Sequence, residues 1–270
     1  MTSLVRDWLR PERPEMPLPV TADTERRRLK TELLIVFSIT LGLSGARSLL
    51  SLLDSLLRPA PLNKQHVALN VPQAAASLID LLAQLLSAVQ LVAWGALGAY
   101  LLVRGGTRLA AVGLDRAFPR RDTLWGIGLA ALIGIPGIAL YYVGWKLGFN
   151  LSVVPSTLND TWWRPIALTL SAFGNAFAEE VLVIGYLLTR LRQLGLRENS
   201  GLFAAAVLRG SYHLYQGFGG FVGNLIMGLV FGRVWQRTNR LVPLVIAHTL
   251  LDVVSFVGYS LLRGHLSWLP

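Results

Sequence analysis

The sequence predicts an all-α protein, a polytopic membrane helix bundle with about seven transmembrane helices. Of its 270 residues, 53% are hydrophobic and only 15% are charged, and the mean hydropathy is +0.51. Soluble domains carry about 25% charged residues, so this composition is typical of a membrane protein. The apolar runs are continuous rather than alternating, which favours helices over strands. The chain has no cysteine, which excludes disulfides, thiol nucleophiles and cysteine metal ligands.

Seven apolar runs come near the roughly 20 residues that a helix needs to cross a bilayer. The predicted spans cover residues 33–57, 76–103, 124–146, 165–188, 201–215, 221–235 and 241–262. The fifth and sixth runs are short and meet at a glycine-rich turn, so they can form one helical hairpin. The predicted count is about seven, with a range of seven to eight. The chain therefore divides into a cytoplasmic basic tail at 1–31 and a single transmembrane domain at 32–270.

The cationic residues predict the orientation of the bundle. Eighteen of the 25 Lys and Arg residues lie in alternate segments that begin with the N-terminal tail, five lie in the other segments, and Arg47 and Arg209 lie inside spans. In this count Lys146 and Arg233, close to the ends of their spans, belong to the adjoining loops. Because cationic loops stay in the cytoplasm, the N-terminus is predicted to be cytoplasmic and the C-terminus outside. Trp162, Trp163 and Trp268 fall near predicted outer boundaries, where aromatic rings anchor. The basic charge then reflects orientation and lipid contact, so nucleic acid is not an expected partner.

Ionisable residues inside the spans indicate where function lies, because such groups are costly in hydrocarbon. They are Glu179 and Glu180 in the fourth span, Arg209 and His213 in the fifth, and His248 and Asp252 in the seventh. The pairs in the fifth and seventh spans are four residues apart, so each pair shares one helix face. Glu179 and Glu180 are adjacent, about 100° apart around a helix, so one can face a cavity while the other braces a neighbouring helix. Asn175, one turn before Glu179, can line the same pocket or serve in packing.

Such a pocket has two chemical interpretations. In the first, a carboxylate in an apolar shell takes a proton from water as a general base, and imidazoles donate to the developing oxyanion. In the second, His213, His248 and a glutamate ligate zinc with one position left open. The structural alternative for the same residues is pairing between helices, and for Arg47, Asp54 and Asp80 it is snorkelling or internal pairing.

These residues also carry a resemblance to a known family. Four short stretches follow one another along the chain: Glu179-Glu180, Gly185-Tyr-Leu-Leu-Thr-Arg190, Tyr212-His213-Leu214 and Ala247-His248-Thr-Leu-Leu-Asp252. In order and approximate spacing they resemble the motifs of the CPBP family of intramembrane endopeptidases, which comprises CAAX prenyl protease 2-like and bacteriocin-processing proteins. The resemblance covers residues 173–252 and implies a catalytic core at about 165–262.

The resemblance implies a role for each matching residue. Glu179 would activate water, and Glu180 would assist it or hold the structure. His213 and His248 would bind the oxyanion or the water, positioned by Asp252. Family members have been described as metalloproteases, in which case zinc would be held by the same glutamate and histidines. A glutamate mechanism without metal or other cofactor is also implied, and it is the version favoured here.

Two positions depart from the family pattern. The first motif usually reads Glu-Glu-xxx-Arg, but the position of that Arg is Ile184. The second motif usually has Phe four residues before its His, and that position is Arg209. A single hypothesis joins both departures: Arg209 supplies from the fifth helix the guanidinium that is missing from the fourth, and it pairs with Glu180.

The predicted function is therefore hydrolysis of a peptide or protein substrate that is membrane-associated, with a lipidated substrate as one option. The predicted location is the cell membrane, most compatible with a bacterial plasma membrane, and membrane lipids are expected partners. Two alternatives belong to other classes: a catalytically silent scaffold or regulator, favoured by Ile184, and a proton or substrate transporter, which would also bury ionisable residues. Against transport, the sequence has neither repeated halves nor paired broken helices.

Overall fold

The computed structural model describes residues 19–262, a helical bundle with one small sheet. The first part of the predicted tail and Trp268 lie outside the described residues. The first described helix begins at Asp23, so helical structure is present inside the segment predicted to be a tail. The chain is mostly helical, as the composition indicates.

The described helices run in both directions between the two ends of the bundle. They are α1 (Asp23–Ile39), α2 (Leu41–Leu57), α3 (Ser77–Arg104), α4 (Pro119–Lys146), α5 (Arg164–Glu179), α6 (Leu188–Gln193), α7 (Glu198–Ser211), α8 (Phe218–Thr238), α9 (Val242–Val253) and α10 (Tyr259–Leu262). Two π-helical segments join neighbours without a break, Glu180–Leu187 between α5 and α6 and Val254–Gly258 between α9 and α10. Short 3₁₀ turns lie at Leu62–Lys64, Leu109–Val112 and Leu214–Gln216.

Five helical stretches in the described part are long and apolar enough to cross a membrane, and a sixth is added if α1 and α2 count as one span. The five are Ser77–Arg104, Pro119–Lys146, Arg164–Gln193, Phe218–Thr238 and Val242–Leu262. The pair α1 and α2 bends by 48° at Thr40. The chain is thus a multi-pass membrane protein, but these stretches do not confirm a count of seven to eight.

The difference lies in the predicted fifth span at 201–215. Here α7 has 14 residues and ends at Ser211, so it is shorter than a spanning helix. The chain then turns through Leu214–Gln216 to Gly217, whose φ of 102° is open to glycine but strained for other residues. Apolar composition continues through this turn, which is why hydropathy alone extends the helix too far.

A two-stranded parallel sheet is the other departure from an all-helical prediction. Strands β1 (His66–Asn70) and β2 (Ser152–Ser156) pair with His66 opposite Ser152. The backbone N–H of Val153 donates to the Tyr141 hydroxyl at 2.9 Å. Each strand is five residues long and lies in a connection between helices. The sequence analysis considered long apolar runs, and it therefore did not predict these short strands.

The π segment Glu180–Leu187 is the centre of the largest apolar core. All eight of its residues are buried, and α3, α8 and α9 contribute neighbouring side chains to the same cluster. Close packing of α3 on this region requires Gly95, because a Cβ there would lie 2.5 Å from the Phe177 ring. By contrast, α4 exposes large apolar side chains such as Ile135 and Ile138, as expected for a surface in contact with lipid.

The connections identify the two ends of the bundle. At one end Glu198 pairs with Arg192, and Arg240 pairs with Asp115 and Asp122. At the other end Gly217 forms a β-bridge with Asn150, and the Asn150 side chain accepts from the Gly219 N–H at 2.7 Å. The segment 198–217 therefore connects the two ends, although α7 covers only part of the distance.

Candidate active site

The adjacent acids diverge at the point where α5 changes from α- to π-helix. Glu179 is the last residue of α5 and Glu180 the first of the π segment. A π turn accommodates an additional residue, and such turns are frequent at functional sites. Glu180 is completely buried, whereas Glu179 is 8% exposed and lines a cavity. One acid therefore faces open space and its neighbour faces the protein.

Arg209, completely buried on α7, binds both acids. Its Nη2 lies 3.3 Å from Oε2 of Glu179, and the same nitrogen donates to Oε1 of Glu180. Its Nη1 lies 3.4 Å from Oε2 of Glu180. The guanidinium also lies over the Phe231 ring, 5.8 Å from the ring centre. This is the pairing that the two sequence departures at Ile184 and Arg209 led us to expect, and Ile184 itself is buried in the apolar core.

Tyr212 is a site residue to which the sequence analysis gave no role. Its hydroxyl donates to Oε2 of Glu179 at 2.8 Å. The signal was its position three residues after Arg209, which places both side chains on one side of the helix end. Tyr212 therefore fixes the acid that lines the cavity.

His248 on α9 lies between two carboxylates. Its Nδ1 lies 2.8 Å from Oε1 of Glu180, and its Nε2 lies 3.8 Å from Oδ2 of Asp252. The second distance is too long for a hydrogen bond. The residue that orients the ring is thus Glu180, rather than Asp252 as the sequence suggested, because a direct hydrogen bond fixes a ring more firmly than an ion pair at this separation. Asp252 lines the cavity together with Asn175.

His213 lies just beyond the end of α7, beside the cavity. Its Nδ1 lies 3.0 Å from the carbonyl oxygen of Arg209. A carbonyl only accepts, so Nδ1 carries the hydrogen, and the Nε2 of a neutral ring is then an acceptor. The ring is flanked by Tyr212 and Tyr215, with ring centres 4.8 and 6.3 Å away.

The cavity has a volume of about 1340 Å³. Pockets for small ligands commonly measure about 300–1,000 Å³, so this one has room for a stretch of peptide. Five of the predicted site residues line it: Asn175, Glu179, His213, His248 and Asp252. Glu180 and Arg209 stand behind that wall. The structure therefore gathers all seven predicted site residues in one place, with five at the surface of the cavity.

The two acids of the site already have a counter-ion. No group of three His, Asp or Glu side chains among residues 19–262 has the arrangement of a metal site. Glu179 and Glu180 instead share the guanidinium of Arg209, and a second cation beside it would be repelled.

The remaining intramembrane charges differ from one another. Asp54 forms an exposed pair with Arg58. Asp80 is buried and accepts from the backbone N–H of Gln73 at 2.8 Å. Arg47 was expected to snorkel or to pair internally, but it lines the cavity, and no side chain within the described range pairs with it.

The fold and the site together define a multi-pass helical membrane protein with acids and imidazoles around an internal cavity. Residues 161–254 match the family model described as type II CAAX prenyl endopeptidase Rce1-like, which agrees with the resemblance of this part of the chain to the CPBP/CAAX protease family. The match covers less than half of the chain and contains every predicted site residue. No curated protein and no solved structure matches the chain.

Proposed function

We propose that the protein is an intramembrane endopeptidase that hydrolyses a peptide bond with Glu179 as general base. The observation that carries this proposal is the different environment of the two acids. Glu179 lines the cavity, whereas Glu180 is completely buried against Arg209 and His248. The description of the matching family as an endopeptidase supports the reaction class.

In this mechanism the water lies between Glu179 and His213. Both groups offer acceptors to the cavity, so each can accept one hydrogen of the same water molecule. Glu179 takes the proton as the water oxygen attacks the peptide carbonyl. The same carboxyl then gives the proton to the departing amine, so the glutamate returns to its starting state.

The oxyanion of the tetrahedral intermediate requires a donor, and His248 is the residue that we assign to it. Its Nδ1 faces Glu180, so the ring of an imidazolium would direct Nε2–H away from Glu180, towards the side of Asp252. A donor held in place before the reaction stabilises the developing charge without reorganisation. Arg209 and Tyr212 position Glu179 and Glu180, and Asn175 and Asp252 complete the wall beside His248.

We further propose the orientation that the cationic loops predict, with the N-terminus in the cytoplasm, the C-terminus outside and a location in a bacterial plasma membrane. The connections at 198–217 support seven crossings, because this segment joins the end that contains Arg192 to the end that contains Asn150. The substrate would be a membrane-associated peptide or protein. A lipidated chain fits a cavity that adjoins the apolar surface of the bundle.

The test uses purified protein in nanodiscs and a library of quenched peptides. Hydrolysis by the wild type that is lost in Glu179→Gln, kept in the matched control Glu25→Gln and insensitive to chelators supports the proposal. Glu25 is a suitable control because it forms an exposed ion pair with Arg28 far from the cavity. Loss of activity with chelators and its recovery with zinc would overturn the metal-free mechanism. Proton-coupled flux in liposomes without cleavage would overturn the enzyme.

A further inference from the structure

Arg47 is the charged residue of the cavity that the proposed mechanism does not use. It lies on α2, and among the described residues that line the cavity it is the single Lys or Arg. Other deep arginines are paired: Arg190 with Glu32, and Arg209 with the two acids. Arg47 has no such partner between residues 19 and 262, and its side chain is exposed to the cavity.

The orientation of Arg47 is set by the packing of α2 against the end of α7. A Cβ on Gly45 would lie 2.7 Å from the Ser211 hydroxyl, so the two segments are in close contact. Ser48 donates to the carbonyl oxygen of Tyr212 at 2.9 Å. Ser44, one turn before Ser48, also lines the cavity. Arg47 lines the same cavity as Ser44 and Ser48, and Ser48 contacts Tyr212, the residue that holds Glu179.

Snorkelling towards the Leu57 end of α2 does not account for this residue. Arg47 lies ten residues before the end of α2 at Leu57, which is about 15 Å along a helix and more than an arginine side chain spans. An isolated cation at such a depth is strongly disfavoured in hydrocarbon and is tolerated where it faces a hydrated cavity or a counter-ion. The position of Arg47 therefore suits the binding of an anionic ligand in the cavity.

We propose that Arg47 binds a carboxylate of the peptide substrate and so determines which peptides enter the site. This inference rests on the proposed function. Ser48, Tyr212 and Glu179 are joined by consecutive contacts of 2.9 and 2.8 Å, so a carboxylate held at Arg47 shares the cavity with the bond to be cleaved. Glu179 and Asp252 stand in the same cavity as acids. A substrate carboxylate is attracted to Arg47 and repelled by these acids, which orients the peptide.

The carboxylate has two sources, the C-terminus of the peptide or an acidic side chain, and matched peptides distinguish them. Each quenched peptide that the wild type cleaves or binds is made as the free acid and as the C-terminal amide, and with each Asp or Glu replaced by Asn or Gln. Binding of the same peptides is measured separately by fluorescence anisotropy in nanodiscs of uncharged lipid.

The variants are Arg47→Gln, Arg47→Lys and the control Arg58→Gln, which lies next to the same helix but in an exposed pair with Asp54. We expect Arg47→Gln to raise KM and Kd about tenfold or more for the carboxylate-bearing peptide. The values of kcat and of Kd for the neutral partner peptide should not change. Arg47→Lys should recover part of the affinity, and Arg58→Gln should behave as wild type.

Equal weakening of acidic and neutral peptides by Arg47→Gln would overturn the inference, because the loss would then be structural. A dependence of Arg47 on anionic lipid, with no preference among peptides, would also overturn it and would indicate a lipid phosphate. Failure of the proposed function gives a different result: wild type would bind the acidic peptides through Arg47 and cleave none of them.

Discussion

Arg209 donates to Glu180 in the interior of the bundle, where neither side chain is exposed. The cation reaches Glu180 from α7, and the motif of the resembling family would instead place it at 184 on the same helix as the acids. Arg209 also touches Glu179, so one guanidinium holds the acid that faces the cavity and the acid behind it. A buried charge that loses its partner is far more costly than an exposed one.

Replacement of Arg209 by Leu should therefore destabilise the protein by about 3–5 kcal/mol, because two buried carboxylates lose their counter-charge. The measurement is thermal unfolding in detergent, with proteolytic activity recorded alongside. The control Arg28→Leu breaks an exposed pair and should change stability by less than about 0.5 kcal/mol. Unchanged folding and activity in Arg209→Leu would disprove the idea that this residue replaces the missing Arg.

Glu179→Gln should lower kcat by at least about 100-fold, the lower range for loss of an acid–base catalyst. Gln keeps the shape of the side chain but cannot take a proton from water. Initial rates on a cleavable quenched peptide provide the measurement, and thermal unfolding shows whether the variant is folded. A folded Glu179→Gln protein with wild-type activity would exclude Glu179 as the base.

Tyr212→Phe should reduce kcat about tenfold and leave the fold intact, because it removes one hydrogen bond to a carboxylate and no apolar contact. Tyr142→Phe is the matched control, since Tyr142 is 55% exposed on α4. Comparison of kcat between the two variants tests the role. Equal activities of both variants and wild type would mean that the Tyr212 hydroxyl does not position Glu179.

Asp115 provides a pH test outside the spanning helices. Partial burial raises the pKa of Asp115, but hydrogen bonds from the Ala117 N–H and from Arg240 outweigh burial and hold the pKa below its ordinary value of 3.8. A carboxyl whose pKa is lowered in the folded protein stabilises the fold at pH values above its ordinary pKa. That stability is lost as the pH falls through the pKa of the folded protein.

The melting temperature of wild type should therefore exceed that of Asp115→Asn at pH 7, and the difference should shrink at acidic pH, below 3.8. Arg240 has a raised pKa, because the two aspartates outweigh burial, so it stays charged throughout this range. Asp160→Asn, whose carboxylate is 91% exposed, is the control and should follow wild type. A constant difference between wild type and Asp115→Asn across the pH range would contradict the assignment.

The sequence allowed the class of protein to be predicted, together with most of the residues that gather at the candidate site, because charges in apolar spans are conspicuous wherever the chain folds. Adjacency of Glu179 and Glu180 predicted that they would diverge, and the two unusual positions led to Arg209. Tyr212 was missed because a tyrosine at a helix end has many ordinary roles. The bend at Thr40 and the end of α7 depend on tertiary contacts, and hydropathy does not register them.

The change from α- to π-helix at Glu180 could not be predicted from hydrophobic periodicity either. All eight residues of the π segment are buried, so the segment has no polar face that would reveal its period. His248 pairs with Glu180, the first residue of this π segment. Spacing on a regular helix favoured Asp252, four residues away on α9, whereas contact between α9 and the π segment gave Glu180. Sequence patterns describe one helix at a time, whereas the partner of His248 depends on the contact between two helical segments.

The location of Arg209 on a different helix from the two acids has a consequence for biosynthesis. Arg209 follows Glu180 by 29 residues and Glu179 by 30, so the ribosome delivers both acids before their cation. Each uncompensated acid disfavours insertion by about 2.5–3.5 kcal/mol at the centre of a helix. The nascent segment that contains them is therefore a poor substrate for the translocon on its own, and it becomes stable in lipid when the following hairpin joins it.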